Sequence, residues 1–241
     1  MAWGSFALLF ALLSGVAAGP HIKKEMVESS ERHNRYYHYE ELRERLRSLA
    51  EAYPRQAQLF SIGQSVQGRE LWVLRITAEL HAQIPDRPQV KYVGNMHGDE
   101  AVSRQVLLYL ADYLLRGYLR DPRLTRLLNT TDIYILPSLN PDGFENASEG
   151  DCTGNRGGRE NARGRDLNRS FPDQFSPDSH PDLSEVPEVS AMINWIQSNR
   201  FLLSGNLHGG SVVASYPYDD SHRIQFLVST ASLQMMKCLN T

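Results

Sequence analysis

Apolar and polar positions alternate along this chain with two periods, and the switches between them outline the fold. From Glu41 to Tyr53, after a polar stretch, Leu42, Leu46, Leu49 and Tyr53 share one face at helical spacing, which predicts an amphipathic helix. The runs QLFSIG and ELWVLRIT, separated by the glycine-containing SVQGRE, predict two paired strands, and QVKYVGN predicts a third. From Ala101 the period turns helical, with Val102, Val106, Leu110, Tyr113 and Leu114 expected on the inward face. Asp121-Pro122 supplies the cap and first position of a short helix, and DIYILPS reads as another strand. Periodicity is then lost from Asn140 to about His180, a Gly-, Asn-, Asp-, Pro- and Arg-rich stretch of the kind that is either functional or disordered. A helix returns near Pro187 with Val189, Met192, Ile193 and Ile196 inward, and FLLSGNL and SVVASYPY predict the last strands. No internal repeat is present. Strands alternating with helices predict an α/β fold, a mixed central sheet flanked by helices, with ligands at the carboxyl ends of the strands.

Composition narrows the partners. With 241 residues and 41% apolar content, the chain is long enough to bury one sizeable core. Its net charge of -3 is interspersed apart from one arginine-rich stretch, which argues against nucleic acid or an acidic lipid surface and for a small partner. The leader MAWGSFALLFALLSGVAAG matches a secretory signal cleaved after Ala18, although no basic residue stands near Met1. Its apolar run is shorter than the roughly 20 residues a membrane span needs, so no membrane span is expected. Residues 19–35 then form a polar linker. Asn129-Thr-Thr and Asn146-Ala-Ser are glycan acceptor sequences suited to a secreted chain, while Asn168-Arg-Ser is a formal match inside the candidate site. Cys152 and Cys238 have no metal-binding spacing, and their pairing is left open.

The chemistry gathers at predicted strand ends. GNMHGDE offers His97 and Glu100 just past QVKYVGN, and His208 follows FLLSGNL and precedes two glycines. Six other histidines lie among polar neighbours and read as solvated. Two imidazoles and one carboxylate make a three-ligand zinc set that keeps a fourth position open for water or substrate, the pattern of catalytic zinc.

On these and longer stretches the chain resembles the regulatory branch of the zinc metallocarboxypeptidases. The matching segments include RYYHYEEL, FSIGQSVQGRELWVLRITA, VGNMHGDEAVSRQVL, LNTTDIYILPSLNPDGFE, GRDLNRSFPDQF and SGNLHGGSVVASYPYDD, and together they span about residues 20 to 221. The resemblance implies one zinc ion on His97, Glu100 and His208, with Asp142 orienting the first histidine. It implies that Asn168 and Arg169 grip the free carboxylate of a peptide, a task for which a planar guanidinium fork is suited. By the same resemblance Arg159 supports the developing oxyanion, and Asp219 selects a basic C-terminal residue. The implied activity is release of C-terminal Arg or Lys from peptides and proteins in the secretory pathway, by enzymes whose longer forms include membrane-anchored ones.

The implied catalytic region is residues 36–221. From His222 to Thr241 the chain holds neither glutamate nor tyrosine and matches no family segment, so the family's downstream general-base glutamate is expected to be missing. A proton acceptor is worth typically 10² to 10⁴-fold in rate, which makes an inactive zinc- and peptide-binding fragment the alternative expectation.

Overall fold

A computed structural model describes residues 36–82, 84, 86–151, 157–172, 182–210 and 213–215. The leader, Cys152, Cys238, Asp219 and the tail from His222 lie outside the described residues.

Three layers are built around a five-stranded sheet of order β1-β2-β4-β3-β5. Helix α1 (Tyr39–Ala52) precedes β1 (Ala57–Gln64) and β2 (Glu70–Ile76), which pair antiparallel as the SVQGRE turn predicts. Then come β3 (Gln89–Gly94), α2 (Ala101–Gly117), α3 (Pro122–Thr130) and β4 (Asp132–Leu136). The short α4 (Pro141–Asn146), a 3₁₀ turn at Leu167–Arg169, α5 (Pro187–Gln197) and β5 (Phe201–Leu207) complete the described elements. Strand β4 pairs antiparallel with β2 and parallel with β3, and β3 pairs parallel with β5, so the expected mixed sheet forms.

Capping chemistry sets several boundaries. The Glu41 carboxylate accepts from the His38 backbone at 3.0 Å, reciprocating a cap at the start of α1. Asp121 accepts from Arg123 N at 2.8 Å ahead of Pro122, as the sequence predicts for α3.

Both sheet faces are covered. Leu74 and Ile76 of β2 and Ile133 and Ile135 of β4 pack beneath α1 and α2, while Leu71, Val73, Tyr134 and Leu136 face Val189, Met192 and Trp195 of α5. Side chains two apart share a face, so a central strand covered on both sides reads as a nearly continuous apolar run. The outer strand β5 leaves Leu202 and Leu203 exposed.

Two helix faces differ from the sequence expectation. In α2, Val102 and Tyr113 are exposed, and the inward stripe is Arg104, Leu107, Leu108, Ala111, Leu114 and Leu115. This helix is apolar on more than one side, so periodicity alone admits two faces. In α5, Ile196 is exposed and Glu188 and Trp195 are buried in its place. Of the last predicted strand only Val213 to Ser215 are described, and these are not in a strand.

The inward turn of α2 carries an unusual burden at Arg104. Its guanidinium lies 3.7 Å over the Phe144 ring, is buried, and has no hydrogen-bond partner among the described residues. Burial pushes it below its ordinary range, against the pull of Glu145 and Glu41. An unpaired buried charge costs more than a ring face returns. Arg104→Met is therefore expected to stabilise the fold by about 1–2 kcal/mol. Chemical denaturation measures it, and a loss of stability would show that the guanidinium contributes more than its contacts indicate.

Candidate metal centre and peptide-binding loop

Parallel pairing of β3 with β5 brings the two motifs together. Gly94 lies opposite Leu207, so the residues leaving both strands at their carboxyl ends emerge side by side. His208 is the first residue past β5, and His97 is reached from β3 through Asn95 and Met96.

Asn95 shapes that turn. It is fully buried at φ 54°, a left-handed conformation that asparagine tolerates better than most residues. Its Nδ2 donates to His97 O at 2.9 Å and Gly98 O at 2.8 Å, and its Oδ1 accepts from Ser138 Oγ at 2.7 Å. A Cβ on Gly98 would lie 2.2 Å from the backbone of Gly143 and Phe144 and 2.4 Å from Gly158 O. Only glycine lets the metal loop, α4 and the loop from Gly157 approach this closely.

Glu100 joins the two histidines. Its Oε1 lies 2.8 Å from His97 Nδ1 and its Oε2 2.9 Å from His208 Nδ1, and one ligand atom from each of the three residues falls within 4.8 Å of the others. Burial alone would raise the Glu100 carboxyl, but the bonds to His208 and His97 and to the Gly209 backbone hold it far below the usual carboxylate range. His97 is buried, which opposes its protonation, and Glu100 raises it in net. Two imidazole nitrogens and an ionised carboxylate converging on one point fit a tetrahedral zinc ion with one position left over. The three residues predicted as ligands are thus brought together.

Asp142 is not where the resemblance implied. Its side chain is fully buried, accepts from Ser65 Oγ at 2.8 Å and Gln67 N at 2.8 Å, and pairs with Arg69 at 2.6 Å. Those bonds tie α4 to the β1–β2 turn and leave Asp142 no bond to His97. The carboxylate on His97 is Asp166, whose Oδ1 lies 3.1 Å from Nε2. Accepting that N–H leaves Nδ1 with its lone pair toward Glu100 and the metal position, the usual outer-shell arrangement.

Asp166 also holds the residues expected to meet substrate. Its Oδ2 accepts from Arg159 Nη2 at 2.8 Å and Nε at 3.1 Å, and its Oδ1 accepts from Asn168 N at 2.9 Å. Burial raises the Asp166 carboxyl, and Arg159 and His97 bring it below its ordinary range in net. Asn168 and Arg169 follow directly in the 3₁₀ turn, both exposed, with Arg169 Nη1 on Asn168 O at 3.0 Å. Arg159 is further held by Asn140 Nδ2, which donates to its carbonyl at 3.1 Å. Asp166 and Asn95 are parts of the candidate site that the sequence reading does not pick out. The available signal for Asp166 was its place two residues before Asn168 in GRDLNRSF.

The zinc carboxypeptidase family profile matches residues 42–236, so the chain belongs to that family. The match runs past residue 221, where the sequence segments quoted above end. Human carboxypeptidase D is 62% identical over 215 residues, covering 78% of this chain and 16% of its own length. Mouse carboxypeptidase M is 46% identical over 186 residues, covering 77% of this chain and 41% of its own. This chain therefore spans about a sixth of the carboxypeptidase D relative. Among solved structures, carboxypeptidase A from Helicoverpa armigera superposes with a TM-score of 0.65 at 23% identity, covering 88% of this chain and 60% of that one. Bovine thrombin-activatable fibrinolysis inhibitor, bound to a tick carboxypeptidase inhibitor, gives 0.63 at 21%, covering 83% and 72%. These two likenesses concern the fold.

Proposed function

We propose that this chain is a zinc-dependent metallocarboxypeptidase that releases C-terminal Arg or Lys from peptides and proteins. The observation that carries the reading is the convergence of His97, Glu100 and His208, joined through Asp166 to the loop that presents Arg159, Asn168 and Arg169. Zinc held by the three ligands supplies Lewis acidity, lowering the pKa of a water and polarising a carbonyl. Arg169 and Asn168 are exposed, so their side chains can reach a terminal carboxylate, and the guanidinium fork suits that contact. Arg159, steadied by Asp166, keeps its charge beside the centre, where it opposes the negative charge that develops on the scissile carbonyl oxygen. Preference for Arg or Lys is assigned to Asp219 on the family resemblance.

The apolar leader and the exposure of Asn129 and Asn146, the two sequon asparagines, support a place in the secretory pathway. Among the described residues no helix is long and apolar enough to cross a membrane.

The test is zinc content of the purified chain together with release of the C-terminal residue from two peptides that differ only in ending in Arg or Ala, with His97→Ala as control. Stoichiometric zinc and His97-dependent release, faster from the Arg peptide, is the expected result. Zinc without release would overturn the catalytic reading, and equal release from both peptides would overturn the specificity.

A further inference from the structure

Glu188 is fully buried, yet it touches none of the metal or substrate residues described above. It stands directly after Pro187 in the first turn of α5. Its Oε1 accepts from Val66 N at 3.0 Å in the β1–β2 turn, and its Oε2 accepts from Asn161 Nδ2 at 3.1 Å. Burial raises this carboxyl, the donors pull it back, and Asp142 adds to the rise, leaving it above its ordinary value. Val66 N and Asn161 Nδ2 thus give each carboxylate oxygen a donor.

Asn161 is the hub of the loop. It is buried, and its amide has a fixed orientation because Oδ1 accepts from Arg163 N at 3.0 Å and Arg165 N at 3.1 Å. Nδ2 is thereby turned toward two acceptors, Glu185 O at 3.1 Å and the Glu188 carboxylate. Backbone bonds from Asn161 N to Arg165 O and from Gly164 N to Asn161 O, both 2.9 Å, close the same turn. Arg159 lies two residues before the turn and Asp166 one residue after it. A carboxylate on α5 therefore holds, through one amide, the segment whose two ends carry the oxyanion arginine and the histidine-orienting aspartate.

We propose that Glu188 is a positioning residue for recognition of the terminal carboxylate: acting through Asn161, it fixes the 161–165 turn and so the placement of Arg159, Asp166 and the adjoining Asn168–Arg169 pair. What the loop recognises rests on the carboxypeptidase reading, whereas what holds the loop rests on the hydrogen bonds alone. Simple satisfaction of a buried acid would require none of this coupling, and the two are separable.

Glu188→Gln keeps the shape but brings an amide donor into a pocket where Val66 N and Asn161 Nδ2 both donate. Asn161 cannot turn over without losing its two backbone bonds, so a glutamine amide facing it moves the turn, and Glu188→Ala, which removes the acceptor whichever way that amide points, is the second variant. Two readouts on the zinc-loaded full chain decide the matter. Hydrogen exchange at the Arg163 and Arg165 amides reports the turn, and the ratio of affinities for L-arginine and L-argininamide reports the grip on a carboxylate. A change in the folded fraction lowers both affinities equally and leaves their ratio intact.

Glu188→Gln is expected to speed exchange at both amides and to reduce the preference for L-arginine, each by about tenfold. Adding Asn161→Asp, which sets an acceptor against the new donor but gives up the bond to Glu185 O, is expected to move both readouts only part of the way back toward wild type. Unchanged exchange at Arg163 and Arg165 in both Glu188→Gln and Glu188→Ala would overturn the proposal, and so would faster exchange with an unchanged affinity ratio. If the wild-type chain does not distinguish the two ligands, the carboxypeptidase reading fails and carboxylate recognition by this loop fails with it. Exchange at Arg163 and Arg165 would still decide whether Glu188 holds the turn.

Discussion

Glu100→Ala is expected to strip stoichiometric zinc from the chain and to lower arginine release by roughly a thousandfold or more. Glu100 is the only carboxylate in the ligand set, and it touches both imidazoles, so its removal leaves two neutral nitrogens with no charge to complement a divalent ion. The start of α2 does not depend on the side chain. Glu100 stands at the start of α2 without a side-chain capping bond, and the bond from Ser103 Oγ goes to its carbonyl oxygen, which alanine retains. Zinc content by elemental analysis and arginine release should therefore both collapse while the unfolding temperature changes little. Retention of stoichiometric zinc would mean that the ion sits on another ligand set.

Where the physics was local, the chain could be read directly. The β1–β2 hairpin, the capped start at Asp121-Pro122 and the strand-end placement of His97 and His208 all follow from spacing and turn chemistry, and the structure bears them out. That β3 and β5 are neighbours does not follow from either strand alone, yet it is what makes the two histidines one site. The inward face of α2 was misjudged for a related reason. Two apolar stripes compete on that helix, and tertiary packing selects the one that buries Arg104 and leaves Val102 in solvent. Glu188 was invisible in another way, because a carboxylate in the first turn of a helix reads as ordinary dipole complementarity until its partners are known. Its partners, Val66 and Asn161, come from 122 and 27 residues away in the chain.

The two aspartates make the sharpest contrast between motif and geometry, and they are expected to fail differently. Asp166→Ala removes the acceptor on His97 Nε2, so the imidazole loses its orientation and zinc affinity should fall about 10–100-fold. Its stability cost should be small, since Arg159 is partly exposed and water can replace the lost pairing. Asp142→Ala, by contrast, removes a fully buried carboxylate from beneath Arg69, Ser65 Oγ and Gln67 N, leaving the buried Ser65 hydroxyl unmatched and Arg69 only partly reachable by water. Because Arg69 keeps some access to water, the cost should be about 2 kcal/mol, mostly from the unmatched buried donor. The zinc affinity of the molecules that remain folded should nevertheless stay close to wild type, because Asp142 has no bond to a ligand. Denaturation midpoints and zinc titrations of the two variants, taken at matched folded fraction, separate these outcomes. If Asp142→Ala weakened zinc as much as Asp166→Ala did, the α4 carboxylate would act on the metal through the shared packing at Gly98 and Gly143, and assigning His97 to Asp166 alone would be wrong.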